Sequence, residues 1–199
     1  MNLDTYFSTP VWWDKLNIDV DAMVAFCHRL RQSDPQGNQL SNAGGWQSRE
    51  FYYGDHPETL PLLNEILRRS RQCLKDFGYD GTKFETYFDN IWVNINQMSH
   101  YNRIHIHCAS FLSGAYYLTD SDAQIEFYRN FQEQYTIESL APVLELNAIN
   151  APKISYPAQK NHLVMFPSWV PHSVEPNPED RERISISFNI RIRKKGTPL

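Results

Sequence analysis

Along 183–193, RISISFNIRIR, apolar residues Ile184, Ile186, Phe188, Ile190 and Ile192 alternate without exception with Arg183, Ser185, Ser187, Asn189, Arg191 and Arg193. A period of two is the mark of a β-strand, whose successive side chains point to opposite faces. The run IWVNINQ at 91–97 repeats the pattern, with Trp92, Asn94 and Asn96 on one face and Ile91, Val93, Ile95 and Gln97 on the other. From about residue 84 onward, β-rich runs punctuated by Gly, Pro and Asn clusters predict an antiparallel sandwich or barrel.

The N-terminal region follows the helical period. In 19–32, Val20, Met23, Val24, Cys27 and Leu30 form one apolar stripe, with Asp19 or Asp21 available as N-cap. In 58–77, Leu63, Ile66, Leu67, Leu74 and Phe77 form a second, with Pro61 tolerated in the first turn and Gly78 as a stop. Between them, 33–57 is rich in turn formers yet holds Trp46, Phe51, Tyr52 and Tyr53, so it is expected to fold over something rather than to act as a linker. The expected fold class is α+β and mainly β. A single domain spans 1–199, with a helical, aromatic region at 1–83 packed outside a β core at 84–195.

Composition narrows the function classes. Hydrophobic residues make up 41% and charged residues 21%, with 11 Phe, 11 Tyr and 5 Trp, which excludes disorder, collagen and coiled coil. A net charge of −4 leaves no electrostatic footprint for non-specific nucleic-acid binding. The basic residues Arg191, Arg193, Lys194 and Lys195 are read as a solvated tail. Three cysteines without a CxxC pair argue against a disulfide framework or a zinc knuckle and fit a reduced, cytoplasmic setting. No run reaches the roughly 20 apolar residues that span a bilayer, so no membrane partner is expected.

The candidate chemistry centres on histidine. His105 and His107, two apart on a strand, point the same way and can grip one ion through neutral ring nitrogens. His172 follows the apolar run LVMF in a Pro-bounded turn, where a side chain can be aimed at the same site. Three such histidines suit iron, manganese, copper or zinc. Farther along, Arg183 with Ser185 on the same strand face suits a bidentate grip on a carboxylate; the alternative is a surface ion pair of Arg183 with Asp180 or Glu182. His28, His56 and His162 are assigned to surface or packing roles, and His100 is left open.

These residues carry a resemblance. The segments SNAGGWQS (41–48), WVNIN (92–96), YNRIHIH (101–107), SFLSGAYYL (110–118), LVMFPSWVPHSVEPN (163–177) and RISISFN (183–189) resemble, in order, the Fe(II)/2-oxoglutarate-dependent dioxygenases. Within them they are most similar to a subfamily distantly related to prolyl hydroxylases. The resemblance implies a double-stranded β-helix, a jelly-roll relative, with Fe(II), 2-oxoglutarate as co-substrate, and O2. It implies hydroxylation of a small-molecule or peptidyl substrate, coupled to oxidative decarboxylation of 2-oxoglutarate to succinate and CO2. Carried over by position, His105 and His172 are iron ligands, Arg183 holds the far carboxylate of 2-oxoglutarate, Ser185 supports it, and Asn94 and Asn96 are polar contacts to it. Tyr117 and Ser113, on the strand after the HxH, are candidates to face the same cavity, but Tyr116 has the opposite parity and the sequence leaves the choice of tyrosine open. Trp46, Trp12 and Trp13 are candidates for a substrate lid, with core packing an equal alternative for each.

The chain also departs from the pattern. Most relatives have HxD or HxE, and here His107 stands in the third place, which implies an all-histidine triad one negative charge short. His107 replacing the acid is the favoured arrangement. Two others remain: His107 as the first ligand with Ala109 leaving a position open, or Asp120, Asp122 or Glu126 completing the site. Cys108 is expected to be packed and to point away from the ligand face. Competing readings are a cupin-like metal enzyme, against which Phe111 and Leu112 stand where a Glu is expected, and a non-catalytic jelly-roll binding module.

Overall fold

The computed structural model describes residues 1–197. Its first strand, β1 (Trp12–Lys15), leads into helix α1 (Val20–Ser33); two short strands, β2 (Asn42–Ala43) and β3 (Trp46–Gln47), precede helix α2 (Leu60–Asp76). The strands β4 (Phe84–Asn96), β5 (Tyr101–His105), β6 (Leu112–Tyr117) and β7 (Gln124–Tyr128) follow. A third helix, α3 (Phe131–Leu140), separates them from β8 (Lys153–Pro157), β9 (His162–Pro167), β10 (His172–Val174) and β11 (Arg183–Lys194).

The strands form two antiparallel sheets, ordered β1-β9-β6-β11-β4-β3 and β2-β5-β10-β7-β8. From β4 to β11 the chain crosses between sheets at every connection except β7 to β8, which pair within one sheet. That winding is a jelly roll, with its cavity between the two sheets.

The helices begin and end for local reasons. Asp19 caps α1, its carboxylate accepting the Ala22 N–H at 3.1 Å. A 3-10 turn, Pro57–Thr59, takes up the start of the second helical pattern, so α2 proper begins at Leu60. Gly78, at φ +80°, ends it by donating its N–H to Lys75 O at 2.8 Å.

Alternation in β4 and β11 sorts their residues between two environments. Ile184, Ile186, Phe188 and Ile190 join Ile91, Val93 and Ile95 in one buried cluster with Met23, Phe26, Leu63 and Ile66 of the helices. Each such side chain contributes roughly 1.5–3 kcal/mol by leaving water. A smaller apolar cluster, including Ile125, Phe127, Val164 and Phe166, fills some of the space between the sheets. The polar faces of β4 and β11 are left to line the rest.

Several expectations are corrected. Arg191 and Arg193 belong to β11 rather than to a free tail, lying 3.0 Å from Asp89 and 2.8 Å from Glu85 respectively. Cys108 is exposed rather than packed. Trp12 packs on Phe77 at 5.6 Å and donates its indole N–H to Asp76, while Trp13 is exposed on the edge strand; neither borders the cavity. Helix α3 has no sequence forecast, because 131–140 lacks an apolar stripe at helical spacing; Asn130 caps it by accepting the Gln132 N–H at 2.9 Å. No helix among the described residues is long and apolar enough to cross a membrane.

Candidate metal centre and its cavity

His105, His107 and His172 converge. One ligand atom from each lies within 4.8 Å of the others, and the ring centroids are 4.3 to 5.1 Å apart. Pairing of β5 with β10 sets His105 directly opposite His172. The next register pair is Asn102 opposite Val174, so β5 carries one residue more than β10 over this stretch. This bulge lets Asn102 and His105, three apart, both face the cavity. His107 lies just past the strand, held by its backbone N–H donating to Ser168 O at 2.9 Å.

Two of the imidazoles have their tautomer fixed. His105 Nδ1 lies 2.7 Å from Arg103 O and His172 Nδ1 lies 2.9 Å from Val170 O. A carbonyl oxygen only accepts, so each Nδ1 carries the hydrogen and each Nε2 keeps its lone pair. Burial, reinforced by His105, pushes His172 down to about 3, and burial with the same neighbour brings His107 to about 4. Burial also lowers His105. The trio is therefore neutral near pH 7, the state in which imidazole binds a metal.

The opposite wall is built by β4, β6 and β11. Arg183 is 2% exposed. Its Nη1 donates to Glu175 O at 2.7 Å, whereas Nη2 is buried without a partner. The hydroxyl of Tyr117 is likewise buried and unpartnered, and burial pushes it up to about 12 against the opposing influence of Arg183. The register pairs Ser185 with both Asn94 and Tyr117, and Arg183 with Asn96. Asn94 donates from Nδ2 to Ser187 Oγ at 3.0 Å. Arg183, Ser185, Asn94, Asn96 and Tyr117 all border the same cavity as the three histidines.

The structure places each of the alternative residues. Tyr117, not Tyr116, faces the cavity; Tyr116 donates its hydroxyl to Asn161 Oδ1 at 2.7 Å on the other side of β6. Ser113 is buried and bonded to Asn189 Oδ1 at 2.7 Å, away from the cavity lining. Arg183 has no ion pair with Asp180 or Glu182; Glu182 instead holds His28 and Arg31 at 3.0 and 2.7 Å. None of Asp120, Asp122 and Glu126 joins the histidine cluster. Glu126 is bonded to Lys153 and, at 2.6 Å, to Tyr128.

Trp46 is not placed as a lid. It is 8% exposed in the helix-facing core, pairs with Ile95 across β3 and β4, and donates its indole N–H to Asp34 O at 2.8 Å. The segment 41–45 does reach the cavity, through Ser41, whose Oγ accepts from Asn102 Nδ2 at 3.3 Å. Gly44 and Gly45, at φ +66° and +67°, let this turn lie so close that a Cβ would fall 2.2 Å from the His100 ring and 2.4 Å from Asn96 Oδ1. His100 is accounted for as well, its Nδ1 accepting the Gln97 N–H at 3.1 Å.

Sequence reasoning did not single out Ser41 and Asn102 as lining residues, nor Trp92 and Ser187 as members of the site. The last two were legible, since they share strand faces with Asn94 and Ser185. The first two depend on a bulge and a turn.

A jelly roll with three neutral histidines on one wall and a buried, half-satisfied arginine on the other has the donor set for a divalent metal and a carboxylate ligand. The histidines offer lone pairs, and Arg183 Nη2 and the Tyr117 hydroxyl offer two buried donor groups to an acceptor. The comparisons agree with that class. Residues 90–189 match the family described as "Putative 2OG-Fe(II) oxygenase", and the chain belongs to this family. Its cofactors are Fe(II), 2-oxoglutarate as co-substrate, and O2. Among solved structures, a Pseudomonas putida prolyl-4-hydroxylase aligns with a TM-score of 0.62 at 15% identity, covering 92% of both chains. A Trichoplax adhaerens prolyl hydroxylase, solved with a hypoxia inducible factor peptide fragment, aligns at 0.59 and 15% identity over 91% of this chain and 83% of its own. A non-heme α-ketoglutarate-dependent carbocyclase from nogalamycin biosynthesis aligns at 0.64 and 12% identity, over 92% and 79%. At these identities the likeness is one of fold. No curated protein matches the sequence significantly.

Proposed function

We propose that the protein is a 2-oxoglutarate-dependent hydroxylase acting on a small-molecule or peptidyl substrate, with His105, His107 and His172 as the iron ligands. The supporting observation is that one cavity holds both this neutral triad and, on the facing wall, Arg183 with an unpartnered Nη2. Two walls with complementary donor sets suit a ligand that meets a metal at one end and presents a carboxylate at the other.

The chain's own residues orient and exclude water. Arg103 O and Val170 O hold the His105 and His172 rings with Nε2 lone pairs free, so no reorientation is needed on metal uptake. Arg183, the Tyr117 hydroxyl and Ser185 hold the distal carboxylate of 2-oxoglutarate, and Asn94 and Asn96 border its path. Phe166 and Trp92 pack beside two of the histidines, with ring centroids 4.5 Å from His172 and 5.7 Å from His107. Fe(II) with O2 and 2-oxoglutarate supplies the oxidation: one oxygen atom enters the substrate C–H bond as hydroxyl, the other enters succinate, and CO2 leaves. The residues' task is positioning and dryness. Neither a nucleic acid nor a membrane belongs to this reading.

The test is anaerobic visible spectroscopy of the purified protein titrated with Fe(II) and then 2-oxoglutarate. The expected result is a metal-to-ligand charge-transfer band that saturates near one equivalent and is absent in His172→Ala. Stoichiometric iron without a band would favour a cupin-like metal enzyme, and no iron binding would favour a binding module.

A further inference from the structure

The cavity is short of negative charge. Among its described lining residues there is no Asp or Glu, while Arg183 contributes a buried cation with no carboxylate partner. The neighbouring acids stand outside that lining: Glu182 holds His28 and Arg31, Glu126 holds Lys153, and Glu175, which accepts the Gln124 N–H at 2.9 Å through Oε2, acts on Arg183 without forming an ion pair. The three histidines are neutral ligands, so a divalent ion bound to them keeps its full charge of +2.

From this we infer that His107, by leaving the charge of the ion unoffset, makes metal and dicarboxylate depend on each other more strongly than ligation of the one by the other requires. The inference rests on the proposed ligand assignment. A divalent ion alone shares the cavity with the Arg183 guanidinium, and no lining carboxylate offsets the repulsion, Glu175 moderating it only from outside the lining. A dicarboxylate alone meets one cation. With both present, the dicarboxylate would add two negative charges to a site holding a divalent ion and a guanidinium, and would relieve each of its burial without a counter-ion. Linkage then requires each ligand to raise the affinity of the other by the same factor. A carboxylate at position 107 supplies one negative charge permanently and weakens that dependence; loss of the Arg183 cation removes the repulsion on the ion.

Calorimetry of Co(II) binding to the full chain, with and without saturating 2-oxoglutarate, reads the coupling without turnover. The expected result is that 2-oxoglutarate tightens Co(II) binding by roughly 100-fold, near the upper end of usual coupling between sites, and that Co(II) tightens 2-oxoglutarate by the same factor. In His107→Asp the factor should fall about tenfold or more, mainly because Co(II) alone binds tighter. In Arg183→Met, Co(II) alone should also bind tighter than in the wild type, an effect that a merely structural arginine would not produce. Co(II) affinity that is the same with and without 2-oxoglutarate overturns the inference and leaves the metal site standing, as does undiminished coupling in a folded His107→Asp. If near-UV circular dichroism shows His107→Asp unfolded, Arg183→Met decides, and unchanged or weaker Co(II) binding in it overturns the inference. Absence of Co(II) binding under both conditions overturns the ligand assignment and the inference with it.

Discussion

His105 and His172 face each other across the β5–β10 register with ring centroids 4.3 Å apart, and each directs Nδ1 at the carbonyl two residues before it, Arg103 O or Val170 O. The same local device thus fixes the same tautomer on two neighbouring strands. Because those bonds are internal to each strand end, the free lone pairs are set by the fold before any ion arrives. Replacing either histidine by Ala should therefore abolish stoichiometric metal binding, with affinity falling more than about 100-fold, beyond the usual cost of losing an outer-shell partner. Equilibrium dialysis against Co(II), beside thermal melts that show the variants folded, checks this; retained stoichiometric binding in His172→Ala removes it from the ligand set.

The burial that keeps these rings neutral also predicts how the metal-free protein responds to acid. His172 is held at about 3 in the folded chain, against about 6.5 when unfolded. Between those values the unfolded state binds the extra proton, so stability falls as pH falls, by about 1.4 kcal/mol per pH unit for this one group. The contribution is fully present above pH 6.5. With chelator present, His172→Gln should lose about 2 kcal/mol less than wild type between pH 6.5 and pH 5, read from urea unfolding at the two values. Equal losses would mean that His172 is hydrated in the metal-free state.

Trp46 separates packing from substrate contact. Its indole N–H donates to Asp34 O and its ring is buried on the helix-facing side of the major sheet. Trp46→Phe removes that hydrogen bond and some packing area, so stability should drop by about 1–3 kcal/mol. Co(II) and 2-oxoglutarate affinities should not change in the folded variant. A selective loss of 2-oxoglutarate binding at unchanged stability would restore Trp46 to the site.

What could be read before folding followed from strict periodicity. The alternation in 183–193 places Arg183, Ser185 and Ser187 on one face, and β11 keeps that order through the stretch that borders the cavity. Parity could not choose between Tyr116 and Tyr117, because 112–117 is buried on both faces and shows no polar side to mark. Asn102 escaped for the opposite reason: strict alternation from His105 points it away, and one extra residue in β5 turns it inward. Trp46 misled because an aromatic in a Gly-containing turn reads the same whether it covers a cavity or fills a core. Helix α3 was illegible because its residues are largely exposed and carry no stripe.

Arg183 connects stability to ligand binding. It is buried, satisfied at Nη1 by Glu175 O and unsatisfied at Nη2, and the Glu175 carboxylate acts on it without an ion pair, so the ligand-free fold carries a cation that no acidic side chain holds. Replacing a buried charged group by an apolar residue of similar volume is often neutral or stabilising by about 1–4 kcal/mol. Arg183→Met should accordingly melt at or above the wild-type temperature when no ligand is present. Its 2-oxoglutarate affinity in the presence of Co(II) should fall by about 2–4 kcal/mol, roughly 30- to 1000-fold, the usual cost of truncating one partner of a buried charge pair. Arg183→Lys should recover only a fraction of it, since an ammonium cannot hold Glu175 O and a carboxylate in one plane. Differential scanning calorimetry and isothermal titration on the same samples measure both sides. A variant that loses stability and affinity together would make Arg183 a structural residue, whereas stability kept and affinity lost is what a cation stored for a carboxylate requires.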